Sequence, residues 1–334
     1  MVTEGDEQPP SFDEGSTSIN YQLVLQNVAN QALIGYQIWT GGTGFRLLSD
    51  QAHFGPGAII FGVAGLIPLL QLSRAIETSE SPFVSGLNLS TNMAVLRIFG
   101  PRKKPIMAFL VSLLLATSTG IVEETVFRGQ ALPGFANAYG NGDIFTGALL
   151  STLLFAVLHT NPLGFFKGKD SFIDNFSLLI LQIINGGTFC TLYLLTGNLA
   201  VPIITHALYD FYTFYKTHLV DVAGQMTYAE EEALMPICSS NGVEDKWIQK
   251  RGEDWLKDAK QSFYLMDTNR DGELSRKELR IALYSYGITL SKIQSEEVEQ
   301  AADIDQSGTI DFDEYLEFIG PTGSRYKAIR NTLL

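Results

Sequence analysis

The sequence lacks the features that mark several common protein classes. Its 334 residues contain two cysteines, Cys190 and Cys238, which are too few for a disulfide framework. Residues 1–20 carry five acids and no base, and they show neither the basic start and apolar core of a signal peptide nor the arginines of a transit peptide. We expect them to form an acidic disordered tail. The net charge of −13 and the absence of a basic face predict no nucleic-acid partner.

Long charge-free apolar runs recur over residues 21–218. Core helices of soluble proteins seldom repeat at this length with so little charge between them, so we predict an all-α, polytopic membrane domain with five or six spans. A large buried helical bundle is the alternative. The residues from Ile19 to Thr40 are more mixed and predict an interfacial or packed helix. The predicted spans are Gly55–Leu72, Pro105–Val122, Ile144–His159, Phe176–Gly197 and Leu199–Tyr215.

The basic residues predict an orientation. With five spans, eight of the ten bases in residues 21–218 lie on one side, and only Arg46 and Arg128 lie on the other. The positive-inside rule makes the richer side cytosolic, or stromal in a plastid, and the C-terminal region shares that side. We expect a multi-pass membrane protein. The two EF-hand loops described below favour a eukaryotic source, for which we expect the endoplasmic reticulum or a plastid membrane.

The second apolar run is followed directly by the charged stretch Glu123-Glu124-Thr125-Val126-Phe127-Arg128. On a helix, Glu124 and Arg128 stand four residues apart in the favourable order for an ion pair. Glu123 points about 100° away and has no built-in partner. Taken alone, the three charges could be a salt-bridged helix end. Charges are costly inside a bilayer, however, so a functional site is the better prediction.

Two histidines on other predicted spans support a shared polar cavity. His159 ends the third apolar run, and His206 lies four residues before Asp210 on the fifth. A glutamate beside an imidazole can activate water, and a second imidazole can stabilise an oxyanion. This chemistry suits hydrolysis of an amide or ester bond. Zinc ligation is the rival interpretation, but the sequence contains no H-E-x-x-H motif. It also lacks the G-x-S-x-G motif of a serine nucleophile.

The motifs Glu123-Glu124-x-x-x-Arg128, Phe155-x-x-x-His159 and His206-x-x-x-Asp210 together resemble the CPBP family, the CAAX proteases and bacteriocin-processing enzymes. That family consists of polytopic helical intramembrane proteins and includes the type-2 CAAX prenyl proteases, which remove the last three residues of prenylated proteins. The resemblance covers residues 105–215.

The resemblance implies a catalytic role for each motif. Glu123 and His159 would activate the water, Glu124 would belong to the same catalytic group, and His206 with the residue at 210 would stabilise the oxyanion. That position is typically Asn in eukaryotic prenyl proteases, whereas Asp210 has no N–H donor unless it is protonated and is expected to orient His206. Arg128 and Asn185 are expected to support the site. Helix packing through small residues is the other interpretation of Asn185.

The C-terminal region contains two complete EF-hand loops, 36 residues apart. Oxygen-bearing residues occupy the ligand positions of each, with Gly at position 6 and Glu at position 12. Leu274 and Ile310 are expected to pair the loops through a short β-bridge. The flanking helices are predicted at Trp255–Met266, Arg276–Tyr286, Lys292–Ala302 and Phe312–Ile319. The predicted Ca²⁺ ligands are Asp267, Asn269, Asp271, Glu273, Ser275 and Glu278 in the first loop, and Asp303, Asp305, Ser307, Thr309, Asp311 and Glu314 in the second.

These patterns predict five regions: the acidic tail (1–20), a CPBP-type protease domain (21–218), a linker (219–252), an EF-hand pair (253–320) and a basic tail (321–334). The predicted function is a metal-independent glutamic endopeptidase that acts on protein or peptide substrates, prenylated or not, and is modulated by Ca²⁺ at two sites. One alternative is a non-catalytic membrane scaffold whose EF-hands recruit a partner. Another is a transporter that uses the buried acids for ions.

Overall fold

The computed structural model describes residues 19–40, 43–79, 82–166, 169–235, 243–279 and 298–320. The predicted basic tail, all but two residues of the acidic tail, and most of the two central EF-hand helices lie outside these residues. The chain divides into two compact units. The larger comprises residues 19–99 and 104–219, and the described part of the smaller comprises residues 100–103 and 220–320.

The larger unit is built from helices. They are α1 (Tyr21–Thr40), α2 (Thr43–Gln51), α3 (Pro56–Ala64), α4 (Leu66–Thr78), α5 (Pro82–Phe99), α6 (Pro105–Glu124), α7 (Leu132–Tyr139), α8 (Ile144–Leu158), α9 (Lys169–Thr196) and α10 (Ala200–Lys216). Helix α6 packs along α10 and also against α1. The all-α prediction is confirmed for this unit.

Three segments in the described residues are long and apolar enough to cross a bilayer: Pro56–Thr78, Pro105–Tyr139 and Asn175–Thr196. Helix α8 is apolar but shorter. The three segments agree with three of the five predicted spans. The count of five or six spans stays a prediction, because α8 and α10 have 15 and 17 residues, fewer than the ~20 needed to cross about 30 Å of hydrocarbon.

The second apolar segment changes its helical register directly after the two glutamates. Residues Thr125–Ala131 form a π-helix between α6 and α7. Pro133 lies two residues beyond and lacks the N–H that would continue the α-helical hydrogen bonds. π-helical turns within longer helices are often found at functional sites. Here the altered register follows Glu123 and Glu124 and contains Arg128.

A glycine allows α6 and α10 to approach closely near the polar residues. A Cβ atom added at Gly120 would lie 3.0 Å from the backbone nitrogen of Ala207 and 3.1 Å from the carbonyl oxygen of Ile203. A side chain at this position would press against α10, so glycine permits the close approach. The close packing places the end of α6, with Glu123 and Glu124, beside the turn of α10 that carries His206.

The smaller unit contains the EF-hand pair and most of the linker. Its helices are α11 (Ala223–Leu234), α12 (Val243–Arg251), α13 (Glu253–Met266) and α14 (Phe312–Ile319), and residues 276–279 and 298–302 are also helical. Strand β1 (Leu274–Ser275) pairs antiparallel with β2 (Thr309–Ile310), so that Leu274 lies opposite Ile310 as predicted. A buried core formed by residues such as Phe263, Leu279 and Tyr315 lies beneath the loops.

Candidate functional site

The three motifs that the sequence placed on three apolar runs converge in the larger unit. Glu123 and Glu124 end α6, His159 caps the C-terminus of α8, and His206 and Asp210 lie on α10. Both glutamates and His206 are buried. The side chains of His159 and Asp210 keep 29% and 23% of their surface exposed, so the cluster is open to a small polar reactant at these two residues.

Glu123 is held between two side chains from other helices. Its Oε1 accepts a hydrogen bond of 2.8 Å from Nε2 of Gln31 on α1. Its Oε2 lies 3.5 Å from Nε2 of His159 and has no hydrogen-bond partner among the described residues. One carboxylate oxygen is therefore fixed, and the other faces the imidazole.

The backbone determines which nitrogen of His159 carries a proton. Its Nδ1 lies 2.7 Å from the carbonyl oxygen of Phe155, which can only accept, so Nδ1–H is the donor. In the neutral ring, Nε2 then has a lone pair directed toward Glu123. Two acceptors that face each other at 3.5 Å require a proton between them, either from an imidazolium or from a water molecule that contacts both.

Glu124 forms a second, fully buried group with Arg128 and His206. Its Oε1 accepts 2.9 Å from Nη1 of Arg128 and 2.8 Å from Nδ1 of His206. The guanidinium also donates from Nη2 to the carbonyl oxygen of Gly186, at 2.8 Å. The predicted pairing of Glu124 with Arg128 is present, and its extension to His206 was not predicted. Buried charges persist when they are paired and hydrogen-bonded in this way.

Aromatic rings enclose the cations of this group. The guanidinium carbon of Arg128 lies 4.7 Å from the centre of the Phe155 ring and 5.4 Å from that of Phe189. The Phe189 ring also stacks on His206, with ring centres 4.5 Å apart. Contacts with the ring faces stabilise cations away from water. Phe155 is a position of the second motif to which the sequence analysis assigned no role, and Phe189 carried no signal in the sequence.

His206 is placed to act as a hydrogen-bond donor. Its Nδ1–H is directed at Glu124, and its Nε2 lies 3.5 Å from Oδ2 of Asp210. When both ring nitrogens carry a proton, the Nε2–H can donate toward a developing oxyanion. Asp210 is thus positioned to orient this ring.

Asn185 lies in α9 and is buried. Its side-chain Oδ1 has no hydrogen-bond partner among the described residues, so the expected supporting hydrogen bond is not seen at this atom. Gln31 is the functional candidate that the sequence analysis missed. Its only signal was a glutamine within the mixed run of residues 19–40.

The second EF-hand loop brings its carboxylates together. Ligand oxygens of Asp303, Asp305 and Glu314 lie within 4.8 Å of one another. Oδ1 of Asp303 is buried without a hydrogen-bond partner among the described residues, and Glu314 is oriented by a capping box with Asp311. A carboxylate cluster with an unpartnered buried oxygen fits Ca²⁺, which prefers oxygen ligands.

The first loop is shaped by hydrogen bonds to its two terminal carboxylates. Glu278 accepts from the backbone N–H groups of Thr268 and Ser275, at 2.8 and 2.9 Å, and Asp267 accepts 3.0 Å from Gly272. Gly272 has a φ of +86°, which favours glycine at this position. Within the described residues, the carboxylates of this loop do not meet the distances found in the second loop.

Linker helix α11 contacts the first loop. Gln225 donates from Nε2 to the carbonyl oxygens of Tyr264, at 2.8 Å, and of Asp267. The guanidinium of Arg270 lies 4.6 Å from the centre of the Tyr228 ring. Burial and the nearby Asp267 carboxylate raise the pKa of Tyr228 to about 12. The linker is therefore docked on the EF-hand unit through a backbone carbonyl of a predicted Ca²⁺ ligand.

Comparison with known proteins detects the same two regions. Residues 105–212 match the model of the type II CAAX prenyl endopeptidase Rce1-like family, and residues 256–320 match the EF-hand domain pair. No solved structure matches the chain.

The curated relatives are similar to this chain in part only. Calcium-dependent protein kinase 27 of Arabidopsis thaliana is 40% identical over 79 residues, which cover 24% of this chain and 16% of the kinase. Calcium-dependent protein kinase 2 of Zea mays is 38% identical over 79 residues, or 24% and 15% of the two chains. Calcium-binding protein 7 of Rattus norvegicus is 32% identical over 69 residues, or 21% and 32%. The chain thus spans about a sixth of the length of the two kinases.

Proposed function

We propose that this chain is an intramembrane glutamic endopeptidase of the CAAX prenyl-protease type, modulated by Ca²⁺. The observation that carries the proposal is the position of Glu123, whose free Oε2 faces His159 while Gln31 holds Oε1. The match of residues 105–212 to the Rce1-like family supports the reaction class. The proposed substrates are proteins or peptides, with or without a prenyl group.

In the proposed mechanism, Glu123 and His159 remove a proton from a water molecule as its oxygen attacks the carbonyl carbon of the scissile peptide bond. The carbonyl oxygen becomes an oxyanion, and the Nε2–H of His206 donates to it. The C–N bond then breaks, and the proton taken from the water passes to the departing amine. Glu124 and Asp210 hold His206 in the orientation and protonation state that this step requires.

The test is cleavage of a mixed set of prenylated and unprenylated peptides by full-length protein in detergent. Glu123→Gln should abolish turnover and preserve the thermal unfolding midpoint, because the amide cannot act as a base but can keep the contact with His159. Glu77→Gln is the matched control, since Glu77 pairs with Lys216 outside the site. If Glu123→Gln cleaves as fast as the unchanged protein, the glutamic mechanism is wrong.

A chelator that removes zinc tests the proposal that no catalytic metal is involved. We expect cleavage to persist in its presence, because the proposed base and donor are side chains alone. Loss of cleavage that zinc restores would instead assign Glu123, His159 and His206 to metal ligation.

For Ca²⁺ modulation, we propose that α11 is the responding element. Helix α11 follows α10 along the chain, and residues Thr217–Val222 lie between them. Gln225 anchors α11 to the carbonyl oxygen of Asp267. If Ca²⁺ binding rearranges the first loop, it would alter this anchor and could act through the chain connection on α10, which carries His206 and Asp210.

The experiment compares cleavage with Ca²⁺ and with a Ca²⁺ chelator in the unchanged protein and in Gln225→Leu. We expect the unchanged protein to respond severalfold and the variant to lose the response while it still binds Ca²⁺. Thr227→Val is a control on the same helix, because the Thr227 hydroxyl donates to the carbonyl of Ala223 within that helix. Equal activity with and without Ca²⁺ in the unchanged protein would refute the modulation.

We also propose an endoplasmic reticulum or plastid membrane, with the EF-hand pair facing cytosol or stroma. Protease protection of an epitope placed after residue 320 would test the side. If no peptide is cleaved and every variant folds normally, the non-catalytic scaffold with a Ca²⁺-dependent partner becomes the better hypothesis.

A further inference from the structure

Gln31 reaches the candidate catalytic site from outside the part of the chain that matches the protease family. It lies on α1, 92 residues before Glu123, whereas the matched region begins at residue 105. Nevertheless, its amide makes the only hydrogen bond below 3.5 Å to the Glu123 carboxylate among the described residues. Helix α1 therefore supplies a wall of the site.

A carboxylate that serves as a base needs one oxygen held and the other free. Gln31 donates to Oε1 of Glu123, and Oε2 is left without a hydrogen-bond partner in the described residues, facing His159. A lysine or arginine in place of Gln31 would form an ion pair and weaken the base. A neutral amide fixes the carboxylate plane without adding charge, which suits a general base.

Other charged groups around Glu123 do not replace this contact. His159 on α8 faces the opposite oxygen, while Arg128 and His206 both bond to Glu124. Asp210 on α10 faces His206. The side-chain Oε1 of Gln31 is itself buried and has no hydrogen-bond partner among the described residues.

We propose that Gln31 is a positioning residue that aims the free oxygen of Glu123 at the attacking water, and this inference rests on the proposed hydrolytic function. Gln31 also borders a crevice of about 300 Å³ between α1, α5, α6 and α10. Because open space adjoins this side chain, a residue of similar size can replace it without repacking a dense core.

The first test is Gln31→Met in full-length protein, with peptide cleavage and thermal unfolding measured together. Loss of the N–H donor should lower kcat by about tenfold or more. KM should change less than twofold and the unfolding midpoint should stay the same. Asn27→Met is the matched control, because Asn27 lies one turn earlier in the same crevice and its side chain donates to the carbonyl of Leu23 on its own helix. It should retain full activity.

The second test is the pH profile of Gln31→Glu. When the introduced carboxylic acid is protonated it can donate to Glu123 as the amide does, whereas its ionised form repels Glu123. We expect activity relative to the unchanged protein to rise as pH falls, a response that a merely structural residue would not produce.

Either variant can overturn the inference. Unchanged kcat in Gln31→Met refutes it even when Glu123→Gln is inactive, so the proposed function would stand without it. If Gln31→Met fails to fold, a Gln31→Glu profile parallel to that of the unchanged protein refutes it. Full activity of Glu123→Gln would instead refute the proposed function itself.

Discussion

The candidate catalytic cluster, formed around Glu123, Glu124, His159, His206 and Asp210, and the EF-hand loops both contain several carboxylates. The two kinds of site differ in how far apart their residues lie in the sequence. The second Ca²⁺ loop takes its clustered carboxylates from Asp303 to Glu314, and backbone N–H groups of the same loop orient them. The candidate catalytic cluster joins residues up to 92 positions apart on four helices. Local turn geometry forms the Ca²⁺ loop, whereas the candidate catalytic cluster depends on the packing of the whole larger unit.

This difference predicts that a substitution in the candidate catalytic cluster lowers the stability of the larger unit. In Arg128→Met, the buried Glu124 loses its arginine partner and keeps only the hydrogen bond from His206, which should cost about 3–5 kcal/mol of stability. Thermal unfolding in detergent would measure this loss. Adding Glu124→Gln should recover much of the stability but no activity. Ca²⁺ binding by the EF-hand pair should not change in either variant, and a parallel loss of binding would break the comparison.

By the same argument, a substitution in an EF-hand loop should affect Ca²⁺ binding at that loop and leave the candidate catalytic cluster unchanged. Glu314→Gln removes the carboxylate at position 12 of the second loop, so Ca²⁺ affinity at that site should fall at least about tenfold, or ~1.4 kcal/mol. Calorimetric titration would measure it, with Glu317→Gln as a control on the same helix whose partner is Lys246. Chelator-treated protein should keep its basal cleavage in both variants.

A change in the packing of α6 against α10 should alter activity even at a residue that does not contact the substrate. A methyl group at Gly120 would press on Ala207 and Ile203, so α10 must move by a few tenths of an ångström beside His206. We expect Gly120→Ala to lower kcat/KM by about tenfold, since misplacement by ~1 Å can cost a hundredfold. Gly134→Ala is the control, because its methyl group would meet nothing within 4 Å. Equal loss in both would mean that the close approach is not responsible.

The smallest predicted effect concerns His218, next to the end of α10. Burial, followed by the charge of Lys104, lowers its pKa to about 4, and its Nε2 accepts 3.2 Å from the backbone N–H of Lys104. As pH falls from 6.5 to 4, the unfolded chain takes up a proton that the folded chain does not, so stability decreases. After allowance for screening by solvent, the loss should be about 1 kcal/mol across this window.

The measurement is the unfolding midpoint between pH 7 and pH 4. His218→Gln keeps an acceptor for the Lys104 N–H and cannot titrate, so its midpoint should vary less over this range. A variant that follows the pH dependence of the unchanged protein would assign the effect to other groups.

The sequence alone was sufficient for features that depend on local geometry or periodicity. Apolar runs predicted the helical unit, and the pairing of Leu274 with Ile310 followed from loop positions alone, because both are set by the spacing of residues along the chain. The Glu124–Arg128 pair followed from helical spacing in the same way.

The tertiary structure decided which groups from separate helices meet. The bond of Gln31 to Glu123, the stacking of Phe189 on His206 and the docking of Gln225 on Asp267 link residues far apart in sequence. Helical periodicity defines the face on which a side chain lies but not the helix that packs against it. That choice depends on side-chain volumes along whole helices, such as the space left at Gly120 for α10.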